Sequence, residues 1–278
     1  MGMKTRLKLG CDPEVFLRKN GRKTFTSAVG FSTGTKESPQ KLKKGGLQVD
    51  GMALEFNIKP ATTKDAWVGN IKSVMDEMKE WTGSYDVVAT PTAHFTKKHL
   101  EAQPECATEL GCNPDFNAWR DSRANPTPNA TNVNFRTGAG HIHFGWCEGV
   151  DPHHPAHLAT CELLVKSLDV TLGFLCTKFD KDVLRSSLYG KPGAYRPKPY
   201  GCEYRVPSNA WLRDEATIAW VYDVCKRVFQ LLCRGYIISD LFNESEVYYV
   251  FSNRNIYSYS HRKMESLVRR LNIPQPPL

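Results

Sequence analysis

The 278-residue chain contains no apolar run approaching the roughly 20 residues a membrane-crossing helix needs, which excludes a helical membrane span. Its first residues interleave Arg6, Lys8 and Asp12 with apolar ones, so the apolar core of a secretory signal is missing too. A cytoplasmic protein with no membrane partner is expected. The nine cysteines are odd in number and include no C-x-x-C pair, so neither a zinc site nor a full disulfide framework fits, and buried thiols remain. Internal repeats and low-complexity segments are absent, and strand-like and helix-like segments do not alternate as a doubly wound sheet requires. What the chain does have is 41% hydrophobic residues, enough for a substantial core, and a formal charge of +8. The charge calls for an anionic partner, but a nucleotide, a nucleic acid and an acidic peptide all satisfy it.

Hydrophobic spacing predicts a strand over 7–18, a Gly/Ser/Thr-rich loop or hairpin over 25–40, and a second strand over 47–59 closed by Pro60. Trp67, Ile71, Val74, Met75 and Met78 recur at helical spacing from Thr63 to Trp81, with Thr63 or Asp65 as cap. A short strand over 86–90 stops at Pro91, and the polar stretch 94–134 reads as a long irregular excursion. Beyond it lie a strand over 132–146, a buried helix over 155–179 and a Gly-, Pro- and Arg-rich stretch over 185–211 with a strand at 202–207. Helices over 214–238 and 261–271 follow. The order fits one domain over 1–278 of the α+β class, with a C-terminal helical part from 212 onward and helices packed against a largely antiparallel sheet.

Four polar clusters fall on the strands. In Asp12-Pro13-Glu14, period two puts both carboxylates on one face, where they repel unless a cation sits between them, as magnesium would; an edge strand with two solvated acids is the plainer alternative. In Asp50-Gly51-Met52-Ala53-Leu54-Glu55-Phe56-Asn57, Glu55 and Asn57 share a face over apolar support, and Gly51 permits a sharp bend. In Gly138-Ala139-Gly140-His141-Ile142-His143, two histidines share a face after small residues that allow close backbone approach. Such a pair can hold zinc or iron, but neither metal needs the acidic strands that accompany it. In the stretch from Arg185 through Lys191, Tyr195, Arg196 and Lys198 to Glu203-Tyr204-Arg205, forked guanidinium donors suit phosphate or carboxylate oxygens. Tyr195 and Tyr200 could stack on a base or simply pack, and the whole segment could be a solvated basic loop.

Together GCDPE, DGMALEFN, GAGHIHFGW and YGKPGAYRPKPYGCEYR resemble, in the same order over about residues 8–211, the phage-type carboxylate-amine ligases (amidoligase type 2) of the glutamine synthetase and glutamate-cysteine ligase superfamily. The acidic pair, the Gly-preceded H-x-H and the late E-x-R correspond to hallmarks of that superfamily, with Asp12 where its first strand carries Glu. The resemblance implies a sheet curved into a half-barrel, with ATP and magnesium (or manganese) at one end and a carboxylate substrate at the other. It implies Asp12, Glu14, Glu55 and Glu203 as metal ligands, His141 as a further ligand or phosphate contact, and Asp50 as a weaker candidate. Arg185, Arg196 and Arg205 become phosphate clamps, and Lys191, Tyr195, Lys198 and His143 nucleotide contacts. The implied reaction joins an acid to an amine through an acyl-phosphate, on small-molecule or peptide substrates, in a bacteriophage protein working in host cytoplasm. A guanidino kinase on the same fold and a basic, metal-dependent nuclease or nucleic-acid-binding protein are the alternatives; neither substrate nor the oligomeric state is legible.

Overall fold

A computed structural model describes residues 7–31, 33–35, 37–108, 115–126 and 133–277, so Arg6, Cys112 and parts of the 94–134 stretch lie outside the described residues. The first half supplies strands β1 (Lys8–Cys11), β2 (Glu14–Lys19), β3 (Phe25–Thr26), β4 (Gln40–Leu42), β5 (Gly45–Asp50), β6 (Ala53–Ile58), β7 (Tyr85–Val88) and β8 (Thr92–His94). The second supplies β9 (Phe116–Asn117), β10 (Arg123–Ala124), β11 (Phe135–Thr137), β12 (Ile142–Gly145), β13 (Ala194–Lys198) and β14 (Gly201–Tyr204). The helices are α1 (Lys64–Thr82), α2 (Lys97–Glu101), α3 (Glu105–Thr108), α4 (Pro155–Leu168), α5 (Phe174–Cys176), α6 (Val183–Leu188), α7 (Glu215–Cys233), α8 (Glu244–Ser252) and α9 (Tyr259–Arg270).

The fold is α+β, with antiparallel sheets that do not close into a barrel and helices packed against them. One six-stranded sheet runs β1-β12-β14-β13-β9-β10, and the other is built from β3-β2-β6-β5-β4 with β7 also on β2. They join where the expected first strand breaks. At Asp12–Pro13 the chain leaves β1 and enters β2, because proline offers no ladder donor there. The seam is held by a Leu9–Ala61 bridge and by the amides of Asp12 and Glu14, which donate to the carbonyls of His141 and Ala139 at 3.4 and 2.9 Å.

Several expected boundaries move. The strand over 47–59 is a hairpin: β5 and β6 pair Asp50 with Ala53 around a two-residue turn whose Gly51 has φ +56°, a value that glycine adopts without steric cost. The described part of the strand expected over 132–146 is divided into β11 and β12, and the chain between them packs so closely that only glycine fits: a Cβ at Gly138 would stand 2.3 Å from the Asn209 amide and one at Gly140 2.2 Å from the Ser208 carbonyl. The 155–179 helix contains a π-turn at Asp169–Gly173. The described parts of 94–134 hold short helices and strands rather than irregular chain, and α8 was not foreseen.

Most of the core lies between the sheets and α1, α4 and α7. Helix α1 is capped by Thr63, whose hydroxyl accepts from Ala66 N at 3.2 Å, and its buried face carries Trp67, Ile71, Val74 and Met78. Each contributes about 1.5–3 kcal/mol on burial. Trp67 stacks on Trp211 at 5.8 Å, and Trp211 Nε1 donates to the Gly140 carbonyl at 3.0 Å, which ties this core to the histidine strand. Five of the eight described cysteines are buried, and all eight are free thiols. No helix among the described residues is long and apolar enough to cross a membrane.

Candidate active site

Cross-strand register sorts the site residues before any side chain is considered, because directly opposed residues share a face. Gly10, His143, Glu203 and Arg196 form one transverse row across β1, β12, β14 and β13. The next row, Cys11, Ile142, Tyr204 and Tyr195, points the other way and is buried. Tyr195 is therefore a core residue, its hydroxyl hydrogen-bonded to Ser122, and not the nucleotide contact the sequence suggested. On the other side of the first row, Leu9, Phe144, Cys202 and Pro197 are likewise buried, and the row beyond them, Lys8, Gly145, Gly201 and Lys198, returns to the open face.

One acidic cluster lies on that face, and a second adjoins it on the other sheet. In the first, Asp12 Oδ1 lies 2.9 Å from His143 Nε2 and 3.6 Å from His141 Nδ1, and Glu203 Oε1 lies 3.5 Å from His141 Nδ1. Glu203, 1% exposed, is ion-paired with Arg205, with Lys198 at 2.8 Å and with Arg196 at 3.7 Å. Arg205 also reaches Asp115 at 3.4 Å, and Tyr200 hydrogen-bonds His143 Nδ1. Burial works against charge on Asp12, but His143 and His141 outweigh it and hold the carboxyl well below its usual range. For Glu203, burial and Asp12 are overcome by Arg205, His141 and His143, leaving a pKa of about 2. Burial and then Arg205 lower His141 to about 4. His143 also pays for burial, yet Asp12 and Glu203 raise it on balance.

The second cluster is less fully compensated: Arg185 and Arg205 lower Glu14 only in part. Glu14 and Glu55 are directly opposed across β2 and β6, and with Asp50 they place oxygen atoms within 4.8 Å of one another. Ala139 N donates to Glu14 Oε2 and Gln48 Nε2 to Glu55 Oε1, each at 2.9 Å. Burial, with Asp50 beside it, pushes Glu14 up to about 7. Burial and the charges of Asp12, Glu14 and Asp50 push Glu55 up to about 10. Three acids this close need protons or a cation. Asp12, His143 and Glu203 also bring potential ligand atoms within 4.8 Å of one another. Their charge is already met by Arg205, Lys198 and Arg196, so the all-oxygen trio is the better fit for a hard divalent ion. The expectation that Asp12 and Glu14 act as one pair is thus corrected: the Pro13 bend sends them to adjoining clusters.

The clusters stand between two hollows. A cavity of about 940 Å³ is lined by the polar Lys8, Asp12, Gln48, Glu55, Asn57, His143, Glu148 and Tyr200 and by the apolar Pro39, Ile58, Pro60, Trp146 and Cys147. A pocket of about 110 Å³ takes in Glu14, Asp50, His141, Arg136, Arg185 and Arg205. Arg185 lines it, but its guanidinium donates to the carbonyls of Val206 and Pro207 at 2.9 and 3.0 Å, so it braces the chain after β14 and is not a free phosphate clamp. Burial lowers it to about 10. Lys191 lies apart, in a hollow of about 320 Å³ with Arg120 and Tyr248. Sequence reasoning passed over Arg136, Asp115, Gln48 and Lys8. Gln48 stands at period two before Asp50 and could have been found; the isolated Arg136 and Asp115 carried no pattern.

No known protein-family model matches the chain, and no curated protein matches it significantly.

Proposed function

We propose that the protein is an ATP-dependent ligase that joins a carboxylic acid to an amine through an acyl-phosphate. The observation that carries this reading is the carboxylate trio: Glu55 lines a cavity large enough for a nucleotide, while Glu14 and Asp50 line a small pocket bordered by arginines. Glu14, Asp50 and Glu55 would hold magnesium, or manganese, and Asp12, His143 and Glu203 form a second, weaker set. Such an ion screens phosphate charge and favours in-line transfer of a phosphoryl group. Arg205, fixed by Glu203 and Asp115, and neutral His141 orient a substrate carboxylate in the small pocket. Lys198 and Arg196 add positive charge toward the phosphates, and Tyr200 steadies His143.

The test is ADP release by the purified protein with magnesium, screened against panels of acids and amines, with the amide product identified by mass spectrometry. ADP formed only when acid and amine are both present, with one amide per ADP, supports the ligase. A phosphorylated guanidine instead of an amide selects the kinase alternative. Strong, salt-dependent DNA binding with no nucleotide binding selects the nucleic-acid alternative.

A further inference from the structure

Among the described residues five glycines stand inside strands: Gly10, Gly45, Gly46, Gly145 and Gly201. A strand glycine costs stability, so each needs a reason. For three the fold supplies it. A Cβ at Gly45 would stand 1.8 Å from the Asn57 carbonyl, one at Gly46 3.1 Å from Pro39, and one at Gly201, with φ +148°, 2.0 Å from the Phe144 carbonyl. Gly10 and Gly145 have no such reason. A Cβ on Gly10 would meet only His143 Cβ, at 3.6 Å, and one on Gly145 would touch Lys8 Cβ at 3.4 Å, both ordinary contacts, and neither glycine has a positive φ. Both line the 940 Å³ cavity. Register makes them diagonal neighbours, since Gly10 opposes His143 and Gly145 opposes Lys8.

The fold accepts side chains here, and the cavity is what they would fill. We propose that Gly10 and Gly145 leave a bare backbone floor on which the flat base of the nucleotide lies, with its phosphates directed to Asp12, Glu55 and His143. A flat apolar head with a polyanionic tail matches this lining, because Ile58, Pro60 and Trp146 offer apolar surface beside the bare strands, Lys8 adds a positive charge, and a cation held at Glu55 would meet the tail. The proposal rests on the nucleotide-dependent reading above and adds to it the residues that admit the base.

The experiment compares the native protein with Gly145→Val and Gly10→Val, measuring magnesium-ADP and magnesium-tripolyphosphate affinity by calorimetry and the unfolding temperature alongside. A strand valine in open space should hold or raise the unfolding temperature, while nucleotide affinity falls about tenfold or more through overpacking. Tripolyphosphate, which has no base, should bind both variants as it binds the native protein. Gly145→Ala, which adds one methyl group, gives a smaller loss and serves if valine disturbs folding. Unchanged ADP affinity in stably folded variants overturns the floor and leaves the ligase reading standing. Equal losses of ADP and tripolyphosphate also overturn it, since the base would then not be the part excluded. No nucleotide binding by the native protein overturns both.

Discussion

Replacing Glu55 with Gln tests the carboxylate trio through stability, without knowledge of any substrate. An unfolded glutamate releases its proton near about pH 4.3. In the folded protein Glu14 holds its proton to about 7 and Glu55 to about 10. Both folded pKa values are raised, so the native state binds more protons than the unfolded chain above the unfolded pKa. The contribution is therefore fully present below that pKa and is lost as pH rises, through about 7 for Glu14 and about 10 for Glu55. Between about pH 7.5 and 9, above the Glu14 value and below that of Glu55, Glu55 retains its proton, and one retained proton gives a slope of about 1.4 kcal/mol per pH unit. Glu55 is half-buried, and screening narrows the pH window over which this slope holds without changing the slope itself. Urea unfolding with a chelator at several pH values in that window should show stability of the native protein falling more steeply than that of Glu55→Gln by this amount. The amide can still accept from Gln48, so the variant keeps the hydrogen bond and removes the titration. Magnesium at about 100 times its dissociation constant should then stabilise the native protein by about 2.7 kcal/mol and the variant much less. Parallel pH profiles, or unfolding of the native protein that ignores magnesium, would refute the trio as a cation site.

Tyr195→Phe should leave nucleotide affinity unchanged and cost about 1 kcal/mol in urea unfolding, because it removes only the hydroxyl's bond to Ser122 inside the core. Arg205→Lys should lower ligase turnover by about tenfold or more, since an ammonium cannot span Glu203 and Asp115 as the guanidinium does; steady-state ADP release at saturating nucleotide measures it. Asp169→Asn should cost about 1–3 kcal/mol in thermal unfolding. Its carboxylate accepts from Trp119 Nε1 and Gly193 N on Oδ2, at 2.7 and 2.6 Å, and from Tyr204 OH on Oδ1 at 2.8 Å; an amide keeps one acceptor oxygen for the first two, loses the acceptor that Tyr204 uses, and loses the charge that strengthens these bonds.

Period two in His141-Ile142-His143 and Glu203-Tyr204-Arg205 identified which side chains share a face, and the structure puts all four polar residues on the open side with Ile142 and Tyr204 buried. The same rule, applied across Asp12-Pro13-Glu14, gave one acidic pair where there are two clusters, because alternation holds only while the chain stays in one sheet. Tyr195, which the sequence left open as a stacking or a packing residue, is decided by the same kind of register. It lies among basic residues in sequence, but its strand partners are Tyr204 and, through it, Ile142, and those set its face.

By itself the sequence determined the class of fold, the capped amphipathic helix from Thr63, and the polar residues worth following. Each depends on local periodicity, capping chemistry or composition, which neighbours along the chain supply. Only the tertiary structure decided that Glu14, Asp50 and Glu55 converge, that Glu203 is neutralised by three cations, and that Gly10 and Gly145 open onto a cavity. Those properties come from register between strands far apart in sequence and from Coulomb interactions at a few ångströms, and neither distance is written in the order of the residues.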